Sequence, residues 1–180
     1  MLFHPKPSSL SPAWLFLFYK LMKEIQLTQG KVALVDDEDF EYLNQWKWYA
    51  NNLCGKFYAV RSKRINKKYA GYLLMHRVIM NPIKGFVVDH CNGDTLNNTK
   101  SNLRVCTYSQ NRMNSVKTVY NKSGHKGVCW HKTGNKWVSK IEINKTVHYL
   151  GLFYDLKEAA KAYNEAAIKF HGEFAKLNVI

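Results

Sequence analysis

The stretch Val87–Asn111, VVDHCNGDTLNNTKSNLRVCTYSQN, decides the fold of the central part of the chain. It opens on an apolar run, continues through the turn-rich segment NGDTLNNTKSN and returns to a second short apolar run, LRVC. Thr107 followed by Gln110 is the pattern of a capping box, in which two side chains satisfy the free N–H groups at a helix start. The pattern therefore predicts a strand, a long loop, a strand and a helix, with Asn111 in the first helical turn.

Four polar residues of this stretch have the side chains that phosphodiester hydrolysis requires: Asp89, His90, Asn102 and Asn111. The reaction needs a base that activates water, a metal ion that stabilises charge on the phosphate, and a group that holds the base in the right tautomer. An imidazole suits the base near neutral pH, and oxygen donors suit Mg²⁺. Each residue alone is explained as a strand-end, packed or turn residue, so only the combination favours a catalytic site.

The same stretch resembles the HNH nuclease motif of phage and intron homing endonucleases, and HRVIMNP, residues 76–82, extends the likeness upstream. The resemblance implies an enzyme, a metal-dependent site-directed DNA endonuclease that leaves 5′-phosphate and 3′-hydroxyl ends. It makes His90 the general base, and Asp89 and Asn111 the ligands of Mg²⁺ or another divalent metal such as Mn²⁺. Asn102 would orient His90 across the loop. An Asn at the last motif position, where other members have His, disfavours a transition-metal site.

Neighbouring residues leave alternatives open. Asn97 or Asn98 can take the middle motif position instead of Asn102, which is favoured because it directly precedes the second strand. Arg104 and Arg112 are expected to approach the phosphate, since Arg grips anionic oxygens with a planar fork of donors.

The C-terminal part, residues 125–180, contains three β-like runs, KGVCW, KWVSKIEI and VHYLGLF, separated by the turn signals TGN and NK. This order predicts an antiparallel meander. Asp155, with Glu158 three residues later, caps a helix whose apolar face is mostly alanine, and Gly172 ends it. We therefore expect a three-stranded antiparallel sheet packed on one helix.

This unit resembles the plant APETALA-type, or ethylene-response-factor, DNA-binding domain through KGV, KW, YLG, EAAKAYNEAA and the closing AKLN. Such domains lay their sheet in the major groove of double-stranded DNA. The resemblance makes the following residues candidates for DNA binding: Lys126, Trp130, Lys132, Lys136, Trp137, Lys140, Lys145 and Tyr149. Alternation places Trp137 on one face of its strand with Ile141, so the other interpretation is that Trp137 and Tyr149 pack in the core.

The N-terminal part, residues 22–80, contains β-like runs, EIQL, KVALV, WKWYAN, KFYAVRS and YAGYLLMHRVIM, and one helical stretch, DDEDFEYLNQ, capped by Asp36 or Asp37. Its aromatic residues are expected in the core of a small sheet. The fold class is thus α+β: a β-rich region, a ββα-metal nuclease unit, and a sheet on a helix. The domains are a non-native or disordered leader at 1–21, the nuclease at 22–116, a linker at 117–124 and the DNA-binding domain at 125–180.

Composition supports a polyanionic partner, because 27 Lys and Arg against 13 Asp and Glu give a net charge of +14. No stretch reaches the length of a transmembrane helix, and the basic residues do not form one face of an amphipathic helix, so a membrane partner is disfavoured. The four cysteines lack CxxC spacing and are expected to be reduced and mostly buried. The sequence favours a cytoplasmic, DNA-associated protein, a monomer or weak dimer without an obligate protein partner.

Two other functions would also suit a basic chain. A non-catalytic, transcription-factor-like DNA-binding protein would have a broken catalytic set, whereas this set is intact. An RNA-binding or RNA-cutting protein would favour exposed stacking aromatics over a groove-fitting sheet.

Overall fold

The structure is a computed structural model that describes residues 22–116 and 121–180. The predicted leader, residues 1–21, and residues 117–120 of the predicted linker lie outside this part. The described chain mixes several small sheets with a few helices, which confirms the expected mixed class. It divides into two compact units: residues 22–83 with Asp94–Arg104, and Lys84–Gly93 with the described residues from Val105 to Ile180.

The first unit is built from two antiparallel sheets and two short helices. β1 and β2 form a hairpin, and β3, β4 and β5 form a meander in sequence order. The elements are β1 (Met22–Gln26), β2 (Val32–Asp36), α1 (Asp37–Leu43), β3 (Tyr49–Leu53), β4 (Lys56–Ile65), β5 (Lys68–Leu74) and α2 (Met75–Met80).

The core of this unit gathers around Trp48, which is 2% exposed and packs with Val35, Leu43 and Met75. Its indole N–H donates to the Leu43 carbonyl at 2.8 Å, so the ring's one polar atom is satisfied where α1 ends. Asp36 occupies the predicted cap position of α1. Its side chain makes no bond to that helix and instead accepts from a backbone N–H of the loop at 94–104.

The run YAGYLLMHRVIM does not continue as β structure throughout, and that expectation was wrong for its second half. β5 ends at Leu74 and α2 follows directly. Met75, Val78 and Ile79 recur at the spacing of one helix face and pack on the Trp48 core, so burial at helical spacing overrides the β-like composition. Asn81 ends α2 with a left-handed φ of 40°.

The second unit contains the predicted strand, strand and helix, followed by the C-terminal sheet and its helix. β6 and β7 form a two-stranded sheet, and β8, β9 and β10 form an antiparallel sheet with β9 in the centre. The elements are β6 (Val87–His90), β7 (Leu103–Cys106), α3 (Tyr108–Met113), β8 (Val128–His131), β9 (Lys136–Ile143), β10 (Thr146–Phe153) and α4 (Leu156–His171). The first two residues of β7 are counted with the first unit.

Both helix starts expected in this unit are present. Thr107 and Gln110 form the full capping box of α3, with the Thr107 N–H donating to the Gln110 side chain at 2.9 Å and the Gln110 N–H donating to Thr107 Oγ1 at 3.2 Å. The Asp155 carboxylate accepts from the Glu158 N–H at 3.0 Å at the start of α4. Gly172 stands at the end of α4, as its sequence position indicated.

α4 packs on the inner face of the C-terminal sheet through its alanine stripe and Tyr163, which contact Ile141 and Val128 of the sheet in two adjoining clusters. Gly127 makes this close approach possible. A Cβ on Gly127 would lie 2.1 Å from the Tyr163 ring, and its φ of +75° also disfavours a side chain.

The expectation that the cysteines are mostly buried was wrong. All four are free, but only Cys106 is buried, while Cys54 and Cys129 are exposed and Cys91 is intermediate. Cys129 faces outward because it alternates with the buried Val128 on an edge strand. None of the described helices is both long and apolar enough to cross a membrane.

Candidate active site and DNA-binding surface

Asp89 and His90 are the last two residues of β6. Both side chains are buried, at 6% and 5% exposure, although they are the most polar residues of that strand. Burying a carboxylate and an imidazole is costly unless hydrogen bonds compensate, so their partners determine whether the pair is stable there.

Asn114 donates hydrogen bonds to the end of β6. Its side-chain N–H group donates to both carboxylate oxygens of Asp89, at 3.0 and 2.9 Å, to the His90 carbonyl at 3.0 Å and to the Cys91 carbonyl at 3.3 Å. Asn114 is itself buried and stands at the C-cap of α3. One amide therefore fixes the end of the helix against the Asp89–His90 pair.

Asn111 lies in α3, three residues before Asn114. Residues three apart in a helix are neighbours on one face, so Asn111 shares the face through which Asn114 binds Asp89. Asn111 is half-buried, and its backbone N–H donates to the Thr107 carbonyl within the helix. The second unit thus places Asp89 and His90 together at the end of β6, with Asn111 on the helix that Asn114 ties to Asp89.

Asn102 belongs to the first unit, in a 3₁₀ turn at Lys100–Asn102. It is 7% exposed, and its side-chain N–H group donates to the Asn97 carbonyl at 2.8 Å and the Asp94 carbonyl at 3.4 Å. These bonds run across the loop and hold its turns together. The expected action of Asn102 on His90 stays a prediction.

Asn97 and Asn98, the alternatives for the middle motif position, make hydrogen bonds within that loop. The Asn97 side chain accepts from the backbone and hydroxyl of Thr99, and the fully buried Asn98 donates to the Leu96 carbonyl at 3.0 Å. Asp94 accepts from the Leu96 N–H, as expected of a turn residue.

The two arginines predicted to grip phosphate differ in their surroundings. Arg104 is half-buried on β7. Arg112 is exposed on α3, with its guanidinium 3.0 Å from the Glu142 carboxylate of β9. Because this pair is exposed, a phosphate can compete for Arg112 at small cost.

Five of the predicted DNA-binding residues lie on or beside the outer face of the C-terminal sheet. Lys140 and Tyr149 are direct partners across β9 and β10 and both are exposed, Tyr149 by 61%. Lys136 lies on the same face of β9, with its ammonium 4.2 Å from the centre of the Tyr154 ring. Lys132 and Lys145 are exposed in the turns at the two ends of β9.

The two tryptophans lie on the opposite, inner face. Trp137 packs with Val128, Ala159 and Ala160 beneath α4, which matches the core interpretation of this residue. Trp130 is paired with it across the strands, with ring centres 4.9 Å apart, and remains 46% exposed at the sheet edge. The Trp137 indole therefore supports the packing of α4, and neither indole lies on the outer face.

Lys126 is also in a structural position. Its ammonium donates to the carbonyls of Met113 and Ser115, at 2.6 and 2.7 Å, and so binds the end of α3. Burial lowers the pKa of Lys126 to about 8, and the nearby charges of Lys176 and Arg112 act in the same direction. A lysine held this way is a clamp on the helix that carries Asn111, not a free contact for DNA.

Sequence reasoning missed Asn114. The available signal was its spacing: it follows Asn111 by three residues on a helix already predicted to lie beside Asp89. It also missed the exposed apolar residues Val147 and Leu152, which accompany Tyr149 on the outer face because β10 is an edge strand.

Asp89 and His90 are thus a buried carboxylate and a buried imidazole at the end of β6, and the Asn114 amide is bonded to the Asp89 carboxylate and to the His90 carbonyl. Comparison with known proteins indicates a nuclease. Residues 74–113 match the family model described as HNH endonuclease. The chain is 29% identical over 153 residues to an uncharacterized HNH endonuclease of Acanthamoeba polyphaga mimivirus, covering 84% of this chain and 77% of that protein. It is 30% identical over 93 residues to Protein 3.8 of Escherichia phage T7, covering 52% of this chain and 76% of that protein. The chain therefore contains an HNH endonuclease domain and is a DNA nuclease.

Proposed function

We propose that this nuclease is a metal-dependent, site-directed endonuclease of the homing kind. The observation that carries the proposal is the set of bonds from the Asn114 amide to the Asp89 carboxylate and the His90 carbonyl. These bonds support a centre in which a base and oxygen donors are held in place before the substrate binds. Such preorganisation is what a hydrolytic site requires.

Asp89 and Asn111 are the residues that would hold a divalent cation. The donor set fits, because one carboxylate and one amide oxygen are hard ligands of the kind that Mg²⁺ combines with bound water. Asp89 keeps accepting from Asn114, so its orientation is fixed by the protein. When bound, the cation would stabilise negative charge on the phosphate and the leaving oxygen.

His90 is proposed as the general base that takes a proton from the attacking water. The family resemblance gives Asn102 the task of orienting that imidazole. The same resemblance gives products with 5′-phosphate and 3′-hydroxyl ends. Arg112, released from Glu142, would contact a phosphate of the bound strand.

The C-terminal sheet is proposed to bind DNA in the manner of the APETALA-type domains it resembles. Its outer face presents Lys136, Lys140 and Tyr149, with lysines in the turns at both ends. Lysines supply affinity for phosphates, while exposed Val147 and Leu152 can contact thymine methyl groups. This domain would give the enzyme its position on DNA.

The test is cleavage of supercoiled plasmid and phage genomic DNA by the full chain, with Mg²⁺, Mn²⁺ or EDTA, beside His90→Ala. We expect metal-dependent cutting that His90→Ala abolishes while its affinity for DNA, measured by gel shift, is unchanged. His148→Ala, which removes an exposed histidine outside the candidate site, is the matched control and should cut normally. DNA binding without cutting by the parent protein would instead support a non-catalytic DNA-binding function.

A further inference from the structure

The charges of the chain are distributed unevenly. Residues 42–88 contain no Asp or Glu, so all 13 acidic residues lie outside this stretch. The same 47 positions contain nine of the 27 basic residues: Lys47, Lys56, Arg61, Lys63, Arg64, Lys67, Lys68, Arg77 and Lys84. All of these cations but Lys84 belong to the first unit, so its residues 42–83 contain eight basic residues and no acidic residue.

Four of these cations lie at the tip of the β4–β5 hairpin. Every residue from 62 to 70 is exposed, on both strands and in the turn between them. Because successive residues of a strand point to opposite faces, both faces of this ribbon are open to solvent. The base of the ribbon is anchored, since Ala59 and Val60 are buried at 2% and 0%.

The turn and strands give the ribbon a defined shape. Asn66 and Lys67 both have positive φ, 49° and 62°, as in the tight two-residue turn that suits a twisted hairpin. Gly71, at φ 100°, accompanies a register shift that gives β5 one extra residue between the pairs Ser62–Tyr72 and Arg64–Tyr69. Such a bulge increases the local twist.

The tip combines cations with large apolar side chains. Ile65 is 55% exposed, Tyr69 is 67% exposed and Tyr72 is 43% exposed. Arg64 is the cross-strand partner of Tyr69, and Ile65 that of Lys68, so each face has a cation beside an apolar group. Within residues 22–116 and 121–180, no cation of the tip forms an ion pair.

We propose that this ribbon, residues 62–72, is a second DNA-binding element that enters the major groove of the substrate. Charge complementarity identifies the partner as a polyanion, and the nuclease already acts on DNA. A two-stranded ribbon fits the major groove, which is about 12 Å wide, whereas the corresponding groove of duplex RNA is too deep and narrow. Lysines and Arg64 would contact phosphates, and Tyr69, on the same face as Arg64, would contact base edges. The proposal rests on DNA being the substrate and not on which residues cut it.

The test compares two triple variants of the full chain that change the net charge equally. Lys63→Gln, Lys67→Gln and Lys68→Gln remove three cations from the ribbon. Lys157→Gln, Lys161→Gln and Lys169→Gln remove three exposed cations from α4, and circular dichroism checks that both fold. Binding of a fluorescent 40-base-pair DNA duplex is measured by anisotropy in EDTA at several salt concentrations.

We expect the ribbon variant to bind about tenfold more weakly and to lose about 2 to 3 from the slope of log affinity against log salt, since each phosphate contact contributes about 0.9. The α4 variant should keep both values near those of the parent. Tyr69→Ser should weaken DNA binding without changing the slope. Binding of duplex RNA should be equally weak for the parent and the ribbon variant.

Equal losses in the two triple variants would show that only net charge matters, and would overturn the proposal. Full affinity and slope in the ribbon variant would do the same. Neither result depends on cleavage, so a failure here is separable from a failure of His90→Ala to abolish cutting.

Discussion

Replacing Asn114 with leucine tests the bonds that hold the candidate active site together. Leucine has a similar volume but no donor, so Asn114→Leu removes the bonds to both Asp89 oxygens and to the His90 and Cys91 carbonyls. The Asp89 carboxylate, 6% exposed, then loses a donor that solvent cannot easily replace.

The size of the effect follows from the geometry. One amide nitrogen has two N–H groups. A hydrogen bond from one of them to a charged oxygen stabilises the protein by about 1.5 to 3 kcal/mol, and a hydrogen bond from the other to a carbonyl by about 1 kcal/mol. The expected loss in the free energy of unfolding is therefore about 3 kcal/mol. This is a large share of the roughly 5–15 kcal/mol typical of a domain, but it leaves the protein folded.

Urea unfolding followed by circular dichroism measures the loss. Ile141→Ala is the matched control, because Ile141 is 1% exposed in the core that packs against α4, and its truncation costs a comparable amount, about 2–5 kcal/mol. At a temperature where both variants are folded, we expect Asn114→Leu to lose plasmid cleavage and Ile141→Ala to retain it. An unchanged unfolding midpoint for Asn114→Leu, or equal loss of cleavage in both variants, would refute the reasoning.

Four further outcomes follow from the second unit. Lys126→Met removes the donor to the Met113 and Ser115 carbonyls. Amide hydrogen exchange in α3 should therefore quicken about tenfold, which corresponds to about 1.4 kcal/mol. An unchanged exchange rate would mean that Lys126 does not bind the end of α3 in solution. Because the pKa of Lys126 is lowered from 10.5 to about 8, the unfolded chain binds one more proton than the folded chain between pH 8 and 10.5. The free energy of unfolding should therefore rise with pH across this window in the parent and not in Lys126→Met. Gly127→Ala places a Cβ 2.1 Å from the Tyr163 ring at a φ of +75°, and thermal unfolding should show a loss of about 2–3 kcal/mol; a midpoint equal to that of the parent would exclude the close approach. Burial raises the pKa of Tyr163 from 10.0 to about 12. The stabilisation that the neutral phenol gives the folded state is therefore present below pH 10 and lost between pH 10 and 12. The free energy of unfolding, measured at alkaline pH, should decline more steeply in the parent than in Tyr163→Phe.

Local signals in the sequence were sufficient for several elements. The capping pair Thr107 and Gln110 located α3, and Asp155 located α4, because a cap is a contact between residues three apart and is readable from spacing alone. The strands of the C-terminal sheet were readable for a similar reason, since turns of Asn and Gly separate runs of β-forming residues. Where composition and spacing disagreed, as in MHRVIM, composition was misleading, because burial of one face determined the helix.

The sequence by itself determined that Asp89 and His90 end a strand and that Asn111 lies early in a helix, since period and capping act over a few residues. Only the tertiary structure decided that Asn114 holds the Asp89 carboxylate, that Lys126 clamps α3 and that Trp137 packs beneath α4. It also decided that the basic tip of the β4–β5 hairpin is exposed on both faces. The physical reason is common to all four: burial and hydrogen bonding of a side chain depend on residues that are distant along the chain, and no local pattern specifies which of them will be neighbours.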